Sequence, residues 1–472
     1  MYYAQRLQVF DDLSLSDIAI ERNRLKGRVT LSSPGESHNF TIEFYYPGGE
    51  RVDERLAPLI LTMPLINFTY FTKRLTVNAP ISPSDREAIG NLVRINNREV
   101  FVNRLCIRRY EFIKKDFLPG DADITEENAD GMTEVVADVT REERFDYAGK
   151  KDTVSVLSSG GKESLLTYGI MKELGLRTHA LFFNESGGHW RTALPAYRFY
   201  QRNFQDVHRV WSNVDRFYWW FLRRLRILDE KVAFSWADSY PIQLFTFPVY
   251  IMAFLPVVMA NSASSILIGD EFDDPRGMEP YRGISHFHEI FDQTKFFNDM
   301  FTSYLRSKGI GVSIWSALHP ISGSVVEKIL IHRYHDLYRL QRSCHSCHYE
   351  NGDYVPCGRC SKCLGVMLFI LSSGGDPREI GYGDEDIGDL ESRVRSTRMR
   401  LDPDELEYAV SSVFHGRREE GLSHVDGIHL LDGEEEPFSY VDSAYRESIY
   451  RIVKQYTDGV YRLSGQSWER VS

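Results

Sequence analysis

Two hydrophobic rhythms divide the chain. Residues 26–31 and 40–45 alternate apolar and polar side chains, the period-two pattern of half-buried antiparallel strands, and Pro47-Gly48-Gly49 marks a turn after them. From Asp152 the pattern changes. Short apolar runs at 154–157, 178–183, 207–211, 264–269 and 312–318 read as buried strands. Helix-period segments over 165–174 and from Thr192 to Arg202 separate the first three. Strand and helix in alternation predict an α/β fold with a doubly wound, mostly parallel sheet. Residues 56–68 are apolar and read as partly helical, limited by Pro58 and Pro64. Residues 118–150 are acidic and turn-rich and read as a linker; beyond Asp376 the chain reads as acidic and helical. The expected organisation is an α+β domain over 1–145, serving substrate recognition, an α/β domain with a cysteine cluster over 146–375, and a helical region over 376–472.

Composition refines this picture. With 472 residues, 42% hydrophobic and 13% aromatic, the chain can bury a sizeable core. Its net charge of −11 argues against nucleic acid as a partner. Arg223, Arg224 and Arg226 form a local basic cluster beside aromatics, read as a solvated helix face. Residues 241–260 are apolar over about the length of a membrane span. Pro241, Pro248, Pro256 and Gln243 make a buried helical region the expectation instead, with no membrane association. The N-terminal residues lack the layout of a signal peptide, so a cytoplasmic location is expected. Of six cysteines, five lie within 344–363 and Cys106 stands alone, which predicts metal binding in a reducing compartment rather than disulfides.

The densest chemistry follows the first strand of the α/β pattern, in Ser159-Gly160-Gly161-Lys162-Glu163-Ser164. A strand, a Ser/Gly turn and a helix start make a phosphate cradle: glycines allow close approach, helix N–H groups attract an anion, and Lys162 adds a charge. The spacing is not that of a Walker loop. Asn184 ends the second strand. Gly269 ends a later one and delivers Asp270-Glu271-Phe272-Asp273-Asp274 to the same edge, where crowded carboxylates point to Mg²⁺. Cys344-x-x-Cys347 and Cys357-x-x-Cys360-x-x-Cys363 predict a structural Zn²⁺ site, with an iron–sulfur cluster as rival. Cys347, Cys357, Cys360 and Cys363 are taken as ligands, with Cys344, His345 and His348 as alternates. The polar stretches 69–73 and 96–104, and His286 with His288, are further candidates for ligand contact.

The loop at 159–164 resembles the S-G-G-x-D-S pyrophosphate loop of the N-type PP-loop ATP pyrophosphatases, with Glu163 where that family has Asp. Together with Cys357-Gly358-Arg359-Cys360-Ser361-Lys362-Cys363 it resembles the 7-cyano-7-deazaguanine synthase family over residues 152–372. Thr69-Tyr70-Phe71-Thr72-Lys73 and Glu99-Val100-Phe101-Val102-Asn103 resemble the UDP-N-acetylmuramoyl-L-alanyl-L-glutamate epimerase family. The resemblances imply an adenine nucleotide alpha-hydrolase-like fold with ATP, Mg²⁺ and Zn²⁺ as cofactors. They imply ATP contact through Ser159, Gly160, Gly161, Lys162, Ser164, Asn184 and Gly269, and catalysis by Lys162, Glu163, Asp270 and Asp273. The expected activity is adenylation of a small-molecule or nucleotide-linked carboxylate with release of pyrophosphate, most specifically to epimerise the terminal glutamate of a muramoyl peptide. Glu185, His189 and His286 are the candidate α-proton bases. Amide, nitrile or conjugate formation on a nucleobase carboxylate is the alternative, and a non-catalytic nucleotide-binding protein the third reading. Oligomeric state is left open, with a homodimer admitted.

Overall fold

The computed structural model describes every residue except 1, 108–112, 143, 234–239, 241, 243, 278, 345, 351, 417–419 and 432. A ten-stranded sheet runs through it. In chain order its strands are β1 (Asp12–Glu21), β2 (Arg24–Ser33), β3 (Glu36–Tyr45), β4 (Arg74–Ile81), β5 (Glu134–Val139), β6 (Lys150–Leu157), β7 (Arg177–Asn184), β8 (Val207–Ser212), β9 (Ala263–Leu267) and β10 (Ser313–Trp315). In space they lie in the order β10-β9-β6-β7-β8-β3-β2-β1-β4-β5. The helices that bear on the site are α1 (Ala57–Ile66), α2 (Pro83–Glu99), α3 (Lys162–Glu173), α4 (Gly188–Asn203), α5 (Phe247–Ala260), α6 (Lys295–Ser307), α7 (Gly323–Arg333), α8 (Ser361–Ser372) and α9 (Pro403–His415).

β6 to β10 are all parallel. β6 comes first in the chain yet lies inside this set. The chain moves outward through β7 and β8, then returns to the other side of β6 for β9 and β10. That reversal leaves a crevice at the carboxyl ends of β6 and β9, where open α/β sheets take their ligands. Alternate residues feed two cores. Val154, Val156, Ala180, Phe182 and Leu267 pack with residues of α3, α4, α7 and α8, whereas Leu157, Leu181, Val210 and Ile266 share the opposite core with α5. Burial on both faces explains why these strands read as near-continuous apolar runs.

Residues 1–145, expected as an α+β domain, contribute β1 to β5 to the same sheet. β3 joins β8 in an antiparallel pair, Phe44 opposite Ser212 and Tyr45 opposite Trp211. The Ser212 hydroxyl donates to the Glu43 carbonyl (2.8 Å) and the Glu43 N–H to Asn213 Oδ1 (2.9 Å). One core runs from Tyr3 to Ile314 across this joint. The expected linker contains β5, parallel to β4. The C-terminal region is not wholly helical either, because Ile428–His429, Val460–Ser464 and Ser467–Arg470 form a small sheet.

Each of the two apolar segments contains a buried helix, α1 and α5. α1 tolerates Pro58 in its first turn, where the missing N–H costs nothing, and Thr62 Oγ1 donates to the Pro58 carbonyl (2.7 Å). α5 likewise has Pro248 in its first turn; Pro241 and Gln243 lie outside the described residues. No helix among the described residues is long and apolar enough to cross a membrane.

Candidate functional site

β6 ends in buried Val156 and Leu157, and the Ser158 N–H donates to the Leu181 carbonyl, so the loop leaves the sheet at a fixed point. Gly160 then takes a left-handed φ of +79°. A Cβ there would lie 3.1 Å from the Thr192 carbonyl of α4, so glycine is required twice over. The loop braces itself: the Ser159 N–H donates to Ser164 Oγ (3.2 Å) and the Gly161 N–H to Ser159 Oγ (3.3 Å). Gly161 is the N-cap of α3 and supplies no side-chain cap, leaving the first N–H groups of the helix to a ligand or solvent. Gly269, at the end of β9, presses on the same helix start; a Cβ there would come within 2.7 Å of Glu163 Cβ.

Lys162 is 5% exposed. Its ammonium pairs with Glu163 and, at 2.5 Å, with Glu271. Burial opposes the charge, but the two carboxylates outweigh it and raise the pKa above that of an ordinary lysine. The acidic turn therefore meets the loop through Glu271, a partner that sequence reasoning passed over. Asp270 is buried: its Oδ2 accepts from Asn298 Nδ2 (3.3 Å) and lies 4.0 Å from His319 Nε2. Burial drives its pKa well above the usual range. Asp273 is exposed. Asp273 lies near enough to add to the rise in the Asp270 pKa, but among the described residues the ion pairs of Lys162 go to Glu163 and Glu271 rather than to either aspartate. Asn184 directs its Oδ1 to the Ser186 N–H (3.0 Å), holding its own turn.

The thiols that converge are Cys344, Cys357, Cys360 and Cys363, with every sulfur within 4.8 Å of the others. Cys344 takes the place expected for Cys347. Sulfur separations are 3.8 Å for Cys344–Cys360 and for Cys357–Cys363. Hydrogen bonds from Cys344, Cys360 and Cys363 lower the Cys357 pKa. His348 is exposed against Glu350, and His345 lies outside the described residues. The cluster is tied to the loop. The Arg342 N–H, two residues before Cys344, donates to the Gly160 carbonyl (2.8 Å), and α8, which opens inside the cluster, places Phe369 5.9 Å from the Lys162 ammonium.

The polar N-terminal stretches are spent internally. Thr69 Oγ1 donates to Asn97 Oδ1 (2.9 Å), and fully buried Glu99 accepts from Asn103 Nδ2 (2.7 Å) and from the N–H groups of Phe287 (2.5 Å) and Glu289 (2.9 Å). Glu99 therefore anchors the loop carrying His286 and His288. Burial and His288 push the pKa of His286 down to about 4. After β7, Glu185 is buried, accepts from the Tyr250 hydroxyl (2.9 Å), and lies 3.7 Å from His189 Nδ1.

Burial lifts Glu99 to about 7 and Glu327, which accepts from Gln341 (3.0 Å), to about 8. Near pH 6.5 the folded chain holds protons on these groups that the unfolded chain has released, so stability falls as pH rises. Buried neutral His319 and His429, both held at about 3, oppose this only below about pH 6.5, where the unfolded chain takes up protons. Urea titrations should show a loss of roughly 2–3 kcal/mol from Glu99 and Glu327 between pH 6.5 and 8, to which Glu405, lifted by burial to about 8, adds in the same direction. Glu327→Gln should flatten that slope, and a pH-independent stability would refute the assignment.

No protein-family model matches the chain, and no curated protein matches it.

Proposed function

We propose that the chain is an ATP-dependent enzyme that adenylates a carboxylate and releases pyrophosphate. The observation that carries this reading is the seating of an uncapped helix start, a left-handed glycine and a buried lysine at the crevice between β6 and β9. A substrate carboxylate oxygen attacks the α-phosphorus of ATP, and the bond to the β-phosphate oxygen breaks. Lys162 and the loop N–H groups hold the charge that gathers on the departing pyrophosphate. Glu163 and Glu271 are the carboxylates beside the loop that suit Mg²⁺, an ion that enters with the phosphates.

The substrate read most specifically is a nucleotide-linked muramoyl peptide, whose terminal glutamate is epimerised. Activation acidifies the α C–H, and Glu185 with His189, at the end of the neighbouring strand β7, supplies a base on the same edge. One observation favours a second reading, amide, nitrile or conjugate formation on a nucleobase carboxylate: the four-thiol cluster is bonded to the loop through Arg342. We assign Zn²⁺ to that cluster. A tetrahedral site with Zn–S bonds of about 2.3 Å has sulfur–sulfur edges of about 3.8 Å, the separation seen here. An iron–sulfur cluster would hold its thiolates farther apart. Four thiolates leave no open position, so the metal's role is structural.

Pyrophosphate exchange into ATP tests the reading. Exchange dependent on UDP-muramoyl-dipeptide is the expected result; exchange dependent on 7-carboxy-7-deazaguanine would transfer the chain to the second reading. Failure with both would leave a nucleotide-binding protein without this activity.

A further inference from the structure

Three buried polar side chains meet at the start of the acidic turn. Asp270 follows β9, Asn298 lies on α6, and His319 follows β10. They are 3%, 2% and 5% exposed. Asn298 Nδ2 donates to Asp270 Oδ2 (3.3 Å) and to His319 Nε2 (3.0 Å), and those two acceptors lie 4.0 Å apart. Asp270 Oδ1 and Asn298 Oδ1 have no hydrogen-bond partner among the described residues. Asp292, Asp273 and Glu163 deepen the negative field at Asp270. Buried oxygens left unpaired in such a field are costly unless a cation offsets them.

The spacing has the form of a coordination shell. A circle through the three near atoms, a triangle with sides of 3.0, 3.3 and 4.0 Å, has its centre about 2.0 Å from each. That is the bond length of nitrogen and oxygen ligands to small divalent cations. Octahedral ligands about 2.1 Å from an ion lie about 3.0 Å apart when adjacent and about 4.2 Å apart when opposite. His319 and Asp270 therefore stand nearly opposite each other, with Asn298 between them. Turning the amide over brings its oxygen to the position of Nδ2. A hydrogen bond to the Glu271 backbone orients the imidazole, the usual support of a ligating histidine. A cleft of about 470 Å³, lined in part by Asn298 and His319, gives an ion and its waters a way in. Lys295, on the same cleft, is paired with Asp299 (2.8 Å). His424 also faces two carboxylates, but Arg276 already bonds both of them, Asp274 and Asp404.

We propose that Asp270, Asn298 and His319 bind a first-row divalent cation of octahedral preference, completed by water from the cleft. The imidazole disfavours Mg²⁺ and Ca²⁺, and two ligands standing opposite each other disfavour tetrahedral Zn²⁺, so Mn²⁺ and Fe²⁺ are the fitting class. The site is distinct from the Mg²⁺ carboxylates beside the loop, Glu163 and Glu271, and does not require the adenylation reading. Its ion holds the residue before Glu271, whose carbonyl already accepts from the Ser316 hydroxyl (2.6 Å), and so steadies the partner of Lys162.

Mn²⁺ titration of the zinc-loaded full chain without nucleotide, read by electron paramagnetic resonance, tests it. One Mn²⁺ with a histidine nitrogen coupling in its spin-echo modulation is expected. His319→Gln should remove that coupling and weaken binding at least about tenfold. Asn298→Asp should tighten binding, since a carboxylate replaces the amide, and it decides the matter if His319→Gln does not fold. Glu271→Gln and His424→Gln should leave the coupled ion in place. The proposal is overturned if no Mn²⁺ binds, if the coupling is absent or survives His319→Gln, or if Asn298→Asp weakens binding. It is also overturned if Glu271→Gln or His424→Gln abolishes the coupled ion. Loss of pyrophosphate exchange with the coupled Mn²⁺ retained would sink the adenylation reading alone.

Discussion

Cys344→Ser is expected to abolish metal binding, while Cys347→Ser should leave about one zinc per chain, as one tetrahedral site requires. Both cysteines are buried, at 2% and 5% exposure, so accessibility does not separate them. Geometry does, because only the Cys344 sulfur closes the set with Cys357, Cys360 and Cys363. Removal of a direct ligand should lower zinc affinity by more than about a hundredfold, the upper range for changes behind the ligands. The damage should reach the phosphate loop. Arg342 connects the strand of chain before Cys344 to the Gly160 carbonyl, and Cys360 caps α8, accepting from the Cys363 N–H (3.5 Å). Metal analysis of the two variants decides the assignment. Zinc lost from Cys347→Ser and kept in Cys344→Ser would reverse it.

Lys162→Met should abolish ATP-dependent exchange and destabilise the fold by about 2–3 kcal/mol. The ammonium is buried, and its removal leaves Glu163 and Glu271 facing each other without a cation. The cost falls below that of a fully buried pair because the two carboxylate side chains keep 29% and 31% exposure. Adding Glu271→Gln should restore part of the stability, since it removes one of the uncompensated charges, but none of the exchange. Urea unfolding and pyrophosphate exchange on the single and double variants separate the two roles. Exchange that returned with stability would mean that Lys162 only holds the fold together.

Much of the α/β half was legible in the chain. The strands expected at 154–157, 178–183, 207–211, 264–269 and 312–318 correspond to β6 to β10, and the loop and helix α3 follow β6 as its glycines and apolar period require. These features are local: a strand buried on both faces must be apolar along its length, and a left-handed turn selects glycine. The apolar segments 56–68 and 241–260 likewise announced buried helices. β5 was hidden because it is a half-exposed edge strand in an acidic context, with few apolar side chains to mark it.

The partners were decided in three dimensions. The union of the two halves rests on β3 meeting β8, a pairing of residues more than 160 positions apart that no local period encodes. Glu271 rather than Asp270 or Asp273 faces Lys162, and Cys344 rather than Cys347 faces the other three thiols. Glu99 reads as a ligand-binding residue in a polar stretch, yet folding commits it to the N–H groups of Phe287 and Glu289. Sequence records the period and the backbone conformation that each segment needs. Which of several equivalent carboxylates or thiols meets a given partner depends on how distant segments pack, and only the folded chain fixes that choice.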